Sequence, residues 1–203
     1  MPRQRRQIED NAIYHIISRG HNRAKLFETS KDYGLFKSLI HDYACRFRSE
    51  IFHYCLMPNH IHLLLRIGSA KDLPKLMQGL IQSYSFYARR NYNRVGYIFQ
   101  GRYKNMHIDN DAYLLDCGRY IERNPVRAAL VRDPSQYKWS SYNFYVNGRP
   151  DELITVDPMY LALADDKNDR RRIYSQYLNI PRDYETLLDN SLKIVCAADR
   201  PRS

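Results

Sequence analysis

The sequence predicts an α+β fold in which an antiparallel sheet carries helices on one face and a further helix over the other. Three observations lead there. Apolar residues switch between a period of two and a period near 3.6 in the order β-α-β-β-α-β, followed by one more helix. The segment His60 to Ile67 (HIHLLLRI), after the turn signal Pro58-Asn59, splits into a wholly apolar set (Ile61, Leu63, Leu65, Ile67) and an alternate set (His60, His62, Leu64, Arg66). The segment Asp109 to Asn124 (DNDAYLLDCGRYIERN) is amphipathic at helical spacing, so it needs a second sheet face to cover.

The elements are read in order as a strand at Ala12 to Ser18, a helix at Lys31 to Phe47, strands at Ile51 to Met57 and His60 to Ile67, a helix at Leu73 to Asn91, a strand at Tyr103 to Ile108 and a helix at Asn110 to Arg123. The second helix has an unbroken stripe of Leu73, Leu76, Met77, Leu80, Ile81, Tyr84 and Tyr87, so Tyr84 and Tyr87 read as core. Asp109 and Asn110 are possible caps for the third helix, and Pro125 reads as its stop. This arrangement is of the ferredoxin-like or RRM-like type, with the histidine strand central in the sheet and the last helix over the histidine face. We assign residues 1–132 to this core domain and 133–203 to a mostly helical C-terminal extension.

His60 and His62 project from one side of their strand, where two neutral imidazoles can share a divalent ion. A His-x-His pair alone has little specificity. On the third helix, at about 100° per residue, Tyr113, Cys117, Tyr120 and Asn124 share one stripe bordered by Leu114 and Ile121. Tyr120 and Asn124 are then one turn apart, and the Asn124 amide oxygen can complete a His-His-Asn site beneath the Tyr120 phenol. The competing reading makes Tyr120 an ordinary core residue in a chain with 18 tyrosines. Tyr113 is a distant second candidate, since Cys117 rather than an amide follows it by four residues. Arg119 and Arg123 fall away from the stripe and read as solvated.

Four ordered blocks carry a resemblance: PNHIHLLL (Pro58 to Leu65), VGYIFQGRYK (Val95 to Lys104), RYIERNPVRAAL (Arg119 to Leu130) and WSSY (Trp139 to Tyr142). They resemble the motifs of the REP-associated tyrosine transposases, within the single-tyrosine HUH superfamily, from near Tyr14 to about Tyr145. The resemblance implies the same fold, with His60, His62 and Asn124 as metal ligands and Tyr120 as nucleophile. It implies cleavage and strand transfer of single-stranded DNA beside hairpins, through a 5′-phosphotyrosine link that needs no nucleotide cofactor, in a monomer or a homodimer. Mg²⁺ or Mn²⁺ suits the ligand set, because a structural zinc usually takes four thiolates or imidazoles; a catalytic zinc site remains open. Two other readings also stay open: a domesticated protein that binds hairpin DNA or RNA without cutting it, and a metal-dependent hydrolase that uses water.

Composition agrees with a polyanionic partner. Lys and Arg number 32 against 22 acidic residues, a net charge of +10. Arg89, Arg90, Arg94, Arg102 and Lys104 interleave with Tyr92, Tyr97, Phe99 and Tyr103, a pattern that can follow a DNA backbone and stack unpaired bases, or place its aromatics in the core. Arg19 is a further candidate contact. Beyond Val131, Trp139, Tyr142 and Tyr145 form an aromatic patch, and two short helices follow in VDPMYLALA and DRRRIYSQYL before a basic tail; this segment can cover the core, bind hairpin DNA or contact another subunit, with simple packing the leading reading for Trp139. Cys45, Cys55, Cys117 and Cys196 lack paired spacing, which suggests reduced, mostly buried thiols and a cytoplasmic protein. The basic N-terminus leads into no apolar h-region, and no apolar run is long enough to span a membrane, so neither secretion nor membrane insertion is expected.

Overall fold

The computed structural model describes residues 7–180. Its strands are β1 (Ile13–Arg19), β2 (Glu50–Met57), β3 (His60–Arg66) and β4 (Lys104–Ile108), joined as one antiparallel sheet in the order β2-β3-β1-β4. The principal helices are α1 (Ser30–Arg46), α2 (Asp72–Tyr92) and α3 (Asp111–Arg127). β3, which carries the histidines, is internal as expected. All these boundaries fall within one residue of the sequence expectation except the C-terminus of α3.

The period-two pattern sorts the two sheet faces. Tyr14, Ile16, Ile61, Leu63, Leu65 and Ile67 pack under α1 and α2 in the larger core. Ile17, Phe52 and Leu64 face the other way and meet Leu114, Cys117, Tyr120 and Ile121 of α3. Burying one face alone would leave the opposite apolar set in water, so α3 is required by the same alternation that builds the first layer. Tyr84 is buried in the α2 core, and Tyr87 is partly buried with its hydroxyl donated to Asp32.

Two local expectations are corrected. α3 runs through Pro125 to Arg127 rather than stopping before it. Proline there has no N–H for the Ile121 carbonyl; the ring is buried, and the turn is reinforced by the Asn124 side-chain amide donating to the Tyr120 carbonyl oxygen at 3.2 Å. Arg119 and Arg123 are not solvated. Arg119 is buried, its guanidinium donating to the carbonyls of Tyr177 (3.1 Å) and Ile180, and Arg123 donates to the Leu178 carbonyl at 2.6 Å. The cause is a neighbour that helical periodicity cannot reveal: carbonyls at the C-terminal end of α6 (Lys167–Asn179) and of its cap residue Ile180 take these donors.

The extension begins by lengthening the sheet edge. Leu56 N–H bonds the Trp139 carbonyl at 2.9 Å and Ser141 N–H bonds the Tyr54 carbonyl at 3.0 Å, while the Trp139 ring stacks on Tyr33 with centroids 4.8 Å apart. α4 (Tyr142–Tyr145), which the sequence reading did not anticipate, α5 (Pro158–Leu161) and α6 then enclose a separate core of Tyr142, Tyr145, Tyr160, Tyr174 and Leu178. Packing thus accounts for the aromatic patch. Cys45 is exposed, Cys55 and Cys117 are buried, and all three are free; Cys196 and the basic tail lie outside the described residues.

Candidate metal centre and nucleophile

β3 begins at His60, so the first two residues of its non-apolar face are the paired histidines, directly after the turn. Asn59 Oδ1 lies 2.6 Å from His60 Nδ1. An amide oxygen can only accept, so Nδ1 carries the proton, and in the neutral ring Nε2 is then the nitrogen with the lone pair. His62 is fully buried. Its Nδ1 lies 2.9 Å from Nε2 of His15, whose β1 position faces the same side, and its Nε2 is buried without a hydrogen-bond partner.

Burial holds both inner imidazoles neutral. The pKa of His62 is pushed well below its ordinary value, first by desolvation and then by the neighbouring His60, His15 and Arg127. Desolvation alone lowers His15 to about 3. A neutral imidazole with an inward Nε2 lone pair is the form that ligates a metal, and the Asn59 and His15 contacts at the opposite nitrogens are the kind of support that fixes ring orientation.

α3 lays Tyr120 across this pair. The Tyr120 ring meets the His62 and His15 rings edge-on, with centroids 5.8 and 5.9 Å away, and it is 0% exposed. The Arg127 guanidinium sits over the same ring, 4.8 Å from its centroid. Asn124 is buried one turn on; its nitrogen is committed to the Tyr120 carbonyl, which leaves the amide oxygen, the atom a hard cation prefers. Among the described residues, no group of three or more His, Cys, Asp or Glu side chains is placed to hold a metal ion. The donors here are two imidazoles and an amide, and the partnerless Nε2 of His62 fits them to a divalent ion.

Tyr113 does not join the site. It stands in the first turn of α3 and is 44% exposed, the sheet-facing stripe starting one residue later at Leu114. The basic residues divide. Arg90, Arg102 and Lys104 are exposed, and Arg19 is half-buried at the end of β1 opposite His60. Arg89 also lies at the surface but donates to the Gly96 carbonyl, while Arg94 is tied to the Lys25 carbonyl and to Glu28. His15 and Arg127 are the residues that sequence reasoning missed. Alternation along β1 would have found His15, since it faces opposite to Tyr14 and Ile16.

The fold and site define a class: a four-stranded antiparallel sheet whose central histidine pair faces a tyrosine carried on a helix of the same chain. The sequence profile of the IS200-like transposases matches residues 9–124, which contain His60, His62, Tyr120 and Asn124, and the chain belongs to that family. The structure of a REP-associated tyrosine transposase bound to a REP hairpin superposes with a TM-score of 0.63 at 18% identity, covering 77% of this chain and 93% of the other. At that identity the likeness establishes a shared fold. A candidate transposase from Deinococcus radiodurans R1 aligns at 19% identity over 61% of this chain and 97% of its own, with a TM-score of 0.42, too low to add to the argument. No curated protein matches the chain significantly.

Proposed function

We propose that this transposase cuts and rejoins single-stranded DNA beside a hairpin, with Tyr120 as the nucleophile. The observation that carries this reading is the seating of Tyr120 edge-on against His62, whose buried Nε2 has no partner, one turn before Asn124. In the forward step the phenolic oxygen bonds to phosphorus, the bond from phosphorus to the 3′-oxygen breaks, and the departing oxygen takes up a proton to become a free 3′-OH. The 5′-phosphate is left on Tyr120. Because one phosphodiester replaces another, a second 3′-OH can reverse the step without a nucleotide cofactor.

A phenol with an ordinary pKa of about 10 is only about 0.1% ionised at pH 7, so the site must favour loss of its proton. The cation of Arg127 over the ring works in that direction by attracting the developing negative charge, against the burial of the phenol, which disfavours its ionised form. His60, His62 and Asn124 would hold Mg²⁺ or Mn²⁺, which supplies neutralisation of charge building on a phosphate oxygen. The buried Tyr120 must also become accessible. Arg19, Arg90, Arg102 and Lys104 would follow the DNA backbone, with Arg89 and Arg94 shaping the loop beside them.

The test is incubation with Mn²⁺ and hairpin oligonucleotides with single-stranded flanks, read by denaturing gel and peptide mass spectrometry. We expect a DNA adduct on Tyr120. Tyr120→Phe should lower cleavage on the order of 10³-fold or more while hairpin affinity is retained, because only the attacking oxygen is lost. Cleavage without an adduct would make water the nucleophile, and tight binding without cleavage would make the protein a hairpin-binding module.

A further inference from the structure

The loop between α2 and β4 holds an exposed apolar pair that packing does not explain. Of the four aromatics interleaved with basic residues there, Phe99 and Tyr103 are buried and Tyr92 donates its hydroxyl to Asp32. Tyr97 is different: it is 79% exposed, and its neighbour Val95 is 98% exposed. Large apolar groups on a floppy loop would mean little, but this loop is fastened on both sides of the pair.

Gly96, at φ +84°, makes the turn between Val95 and Tyr97 in a region closed to most side chains. Its carbonyl receives two donors from the Arg89 guanidinium, at 3.3 and 3.2 Å. On the far side, His21 N–H bonds the Ile98 carbonyl at 2.9 Å and Gln100 N–H bonds the Arg19 carbonyl at 2.8 Å. These bonds fix the loop to the end of β1, where Arg19 pairs with His60 in the sheet. Gly20 N–H also reaches the Asn59 carbonyl at 2.7 Å, and the Asn59 side chain holds His60. The exposed ring is therefore carried on backbone built directly onto the support of the candidate metal ligands.

We propose that Tyr97, flanked by Val95, is a stacking platform for an unpaired base of the DNA strand that leads into the Tyr120 site. The proposal rests on the reading of the protein as a single-strand DNA transferase and assigns it a residue that grips the strand next to the hairpin. Two complementarities select this occupant. Arg23, Lys25, Arg90 and Arg102 are exposed in the segments that form or adjoin the loop, while the nearby Glu28 is already paired with Arg94, so the surface favours a polyanion. An exposed aromatic ring on hydrogen-bonded backbone offers a polyanion with flat faces what a bare phosphate chain could not use. Duplex DNA keeps those faces stacked internally; a single strand presents them.

The experiment compares wild type, Tyr97→Ala, Tyr97→Phe and Tyr97→Trp on two probes: a hairpin with a short single-stranded flank of mixed sequence, and the same hairpin without the flank. Mixed sequence suffices because every base has a stacking face. Tyr97→Ala is expected to weaken binding of the flanked hairpin by about 10- to 100-fold with little effect on the unflanked one, and with an unchanged salt slope since no charge is lost. Tyr97→Phe should bind as wild type does. In Tyr97→Trp, added flanked DNA should quench the new indole fluorescence.

Wild-type affinity of Tyr97→Ala for the flanked probe, or an equal loss on both probes, would overturn the proposal. The covalent adduct on Tyr120 is scored in the same samples. Flank-dependent loss without any adduct would sink the nuclease reading and leave the platform standing; an adduct with unaltered flank binding by Tyr97→Ala would do the reverse.

Discussion

Arg127 is three residues past Asn124, on a turn that proline would ordinarily have ended, and its guanidinium caps the ring of the proposed nucleophile. A cation at this place acts differently from one on the DNA path. It favours the ionised phenol, and each tenfold gain in phenolate fraction corresponds to about 1.4 kcal/mol. We therefore expect Arg127→Ala to slow adduct formation by roughly 10- to 100-fold and to weaken hairpin binding much less, while Arg127→Lys recovers part of the rate. Single-turnover rates at saturating DNA check this. Equal losses in rate and affinity would instead make Arg127 a simple phosphate contact. At this scale the sequence offered four of the six candidate-site residues and missed His15 and Arg127. His60, His62, Tyr120 and Asn124 lie where strand and helix spacing put them, because both periodicities are local. Arg127 was hidden because Pro125 is a sound local stop signal that burial and the Asn124 side chain override.

Among elements, the joint between α1 and α2 combines apolar packing and a Tyr43–Ser83 hydrogen bond of 2.9 Å with one buried carboxylate. Asp32 accepts from the Glu28 and Thr29 N–H groups, 2.8 Å each, and from the hydroxyls of Tyr87 and Tyr92 at 2.7 to 2.8 Å. Burial pushes its pKa up, but the bonds from Tyr92, Thr29, Tyr87 and Glu28 outweigh that and leave it below the usual carboxylate value. Asp32→Ala would remove the N3 half of the capping box of α1, leaving Thr29 as its N-cap, and strand two phenols and two amides; we expect a loss of roughly 3 kcal/mol, read as a lower urea midpoint at unchanged m-value. A change within about 0.5 kcal/mol would show that water replaces the carboxylate at no cost. Such joints explain what was legible. The seven main elements could be read from their own residues, whereas the edge contact of Trp139 to Ser141 with β2 and the one-turn helix α4 depend on partners distant in sequence. The same holds for the Arg119 and Arg123 bonds to α6, which a helical wheel assigns to solvent.

Across the molecule, the sheet, the nucleophile helix and the extension meet at His53, and that meeting point has a pH signature. His53 is fully buried on β2; its Nδ1 lies 2.9 Å from Glu122 of α3, and its Nε2 lies 3.0 Å from Asp157, the N-cap of α5. Tyr145 stacks on the imidazole at 4.3 Å, Ser141 and Tyr174 donate to Glu122, and Gly118 leaves the room that the ring needs, since a Cβ there would fall 2.6 Å from Nε2. Burial alone would lower the His53 pKa. The two carboxylate contacts, Asp157 and then Glu122, win and push it up to about 9. The unfolded chain binds this proton only below about pH 6.5. The protonated imidazole therefore contributes stability that is fully present below about pH 6.5 and is lost as pH rises toward 9, by roughly 3 kcal/mol at most. We expect the wild-type urea midpoint to fall through this window and His53→Gln, already less stable, to show a flatter profile. Parallel profiles would mean that the fall comes from other groups. A His53 resonance titrating near pH 6.5 in the folded protein would exclude the buried ion pair directly.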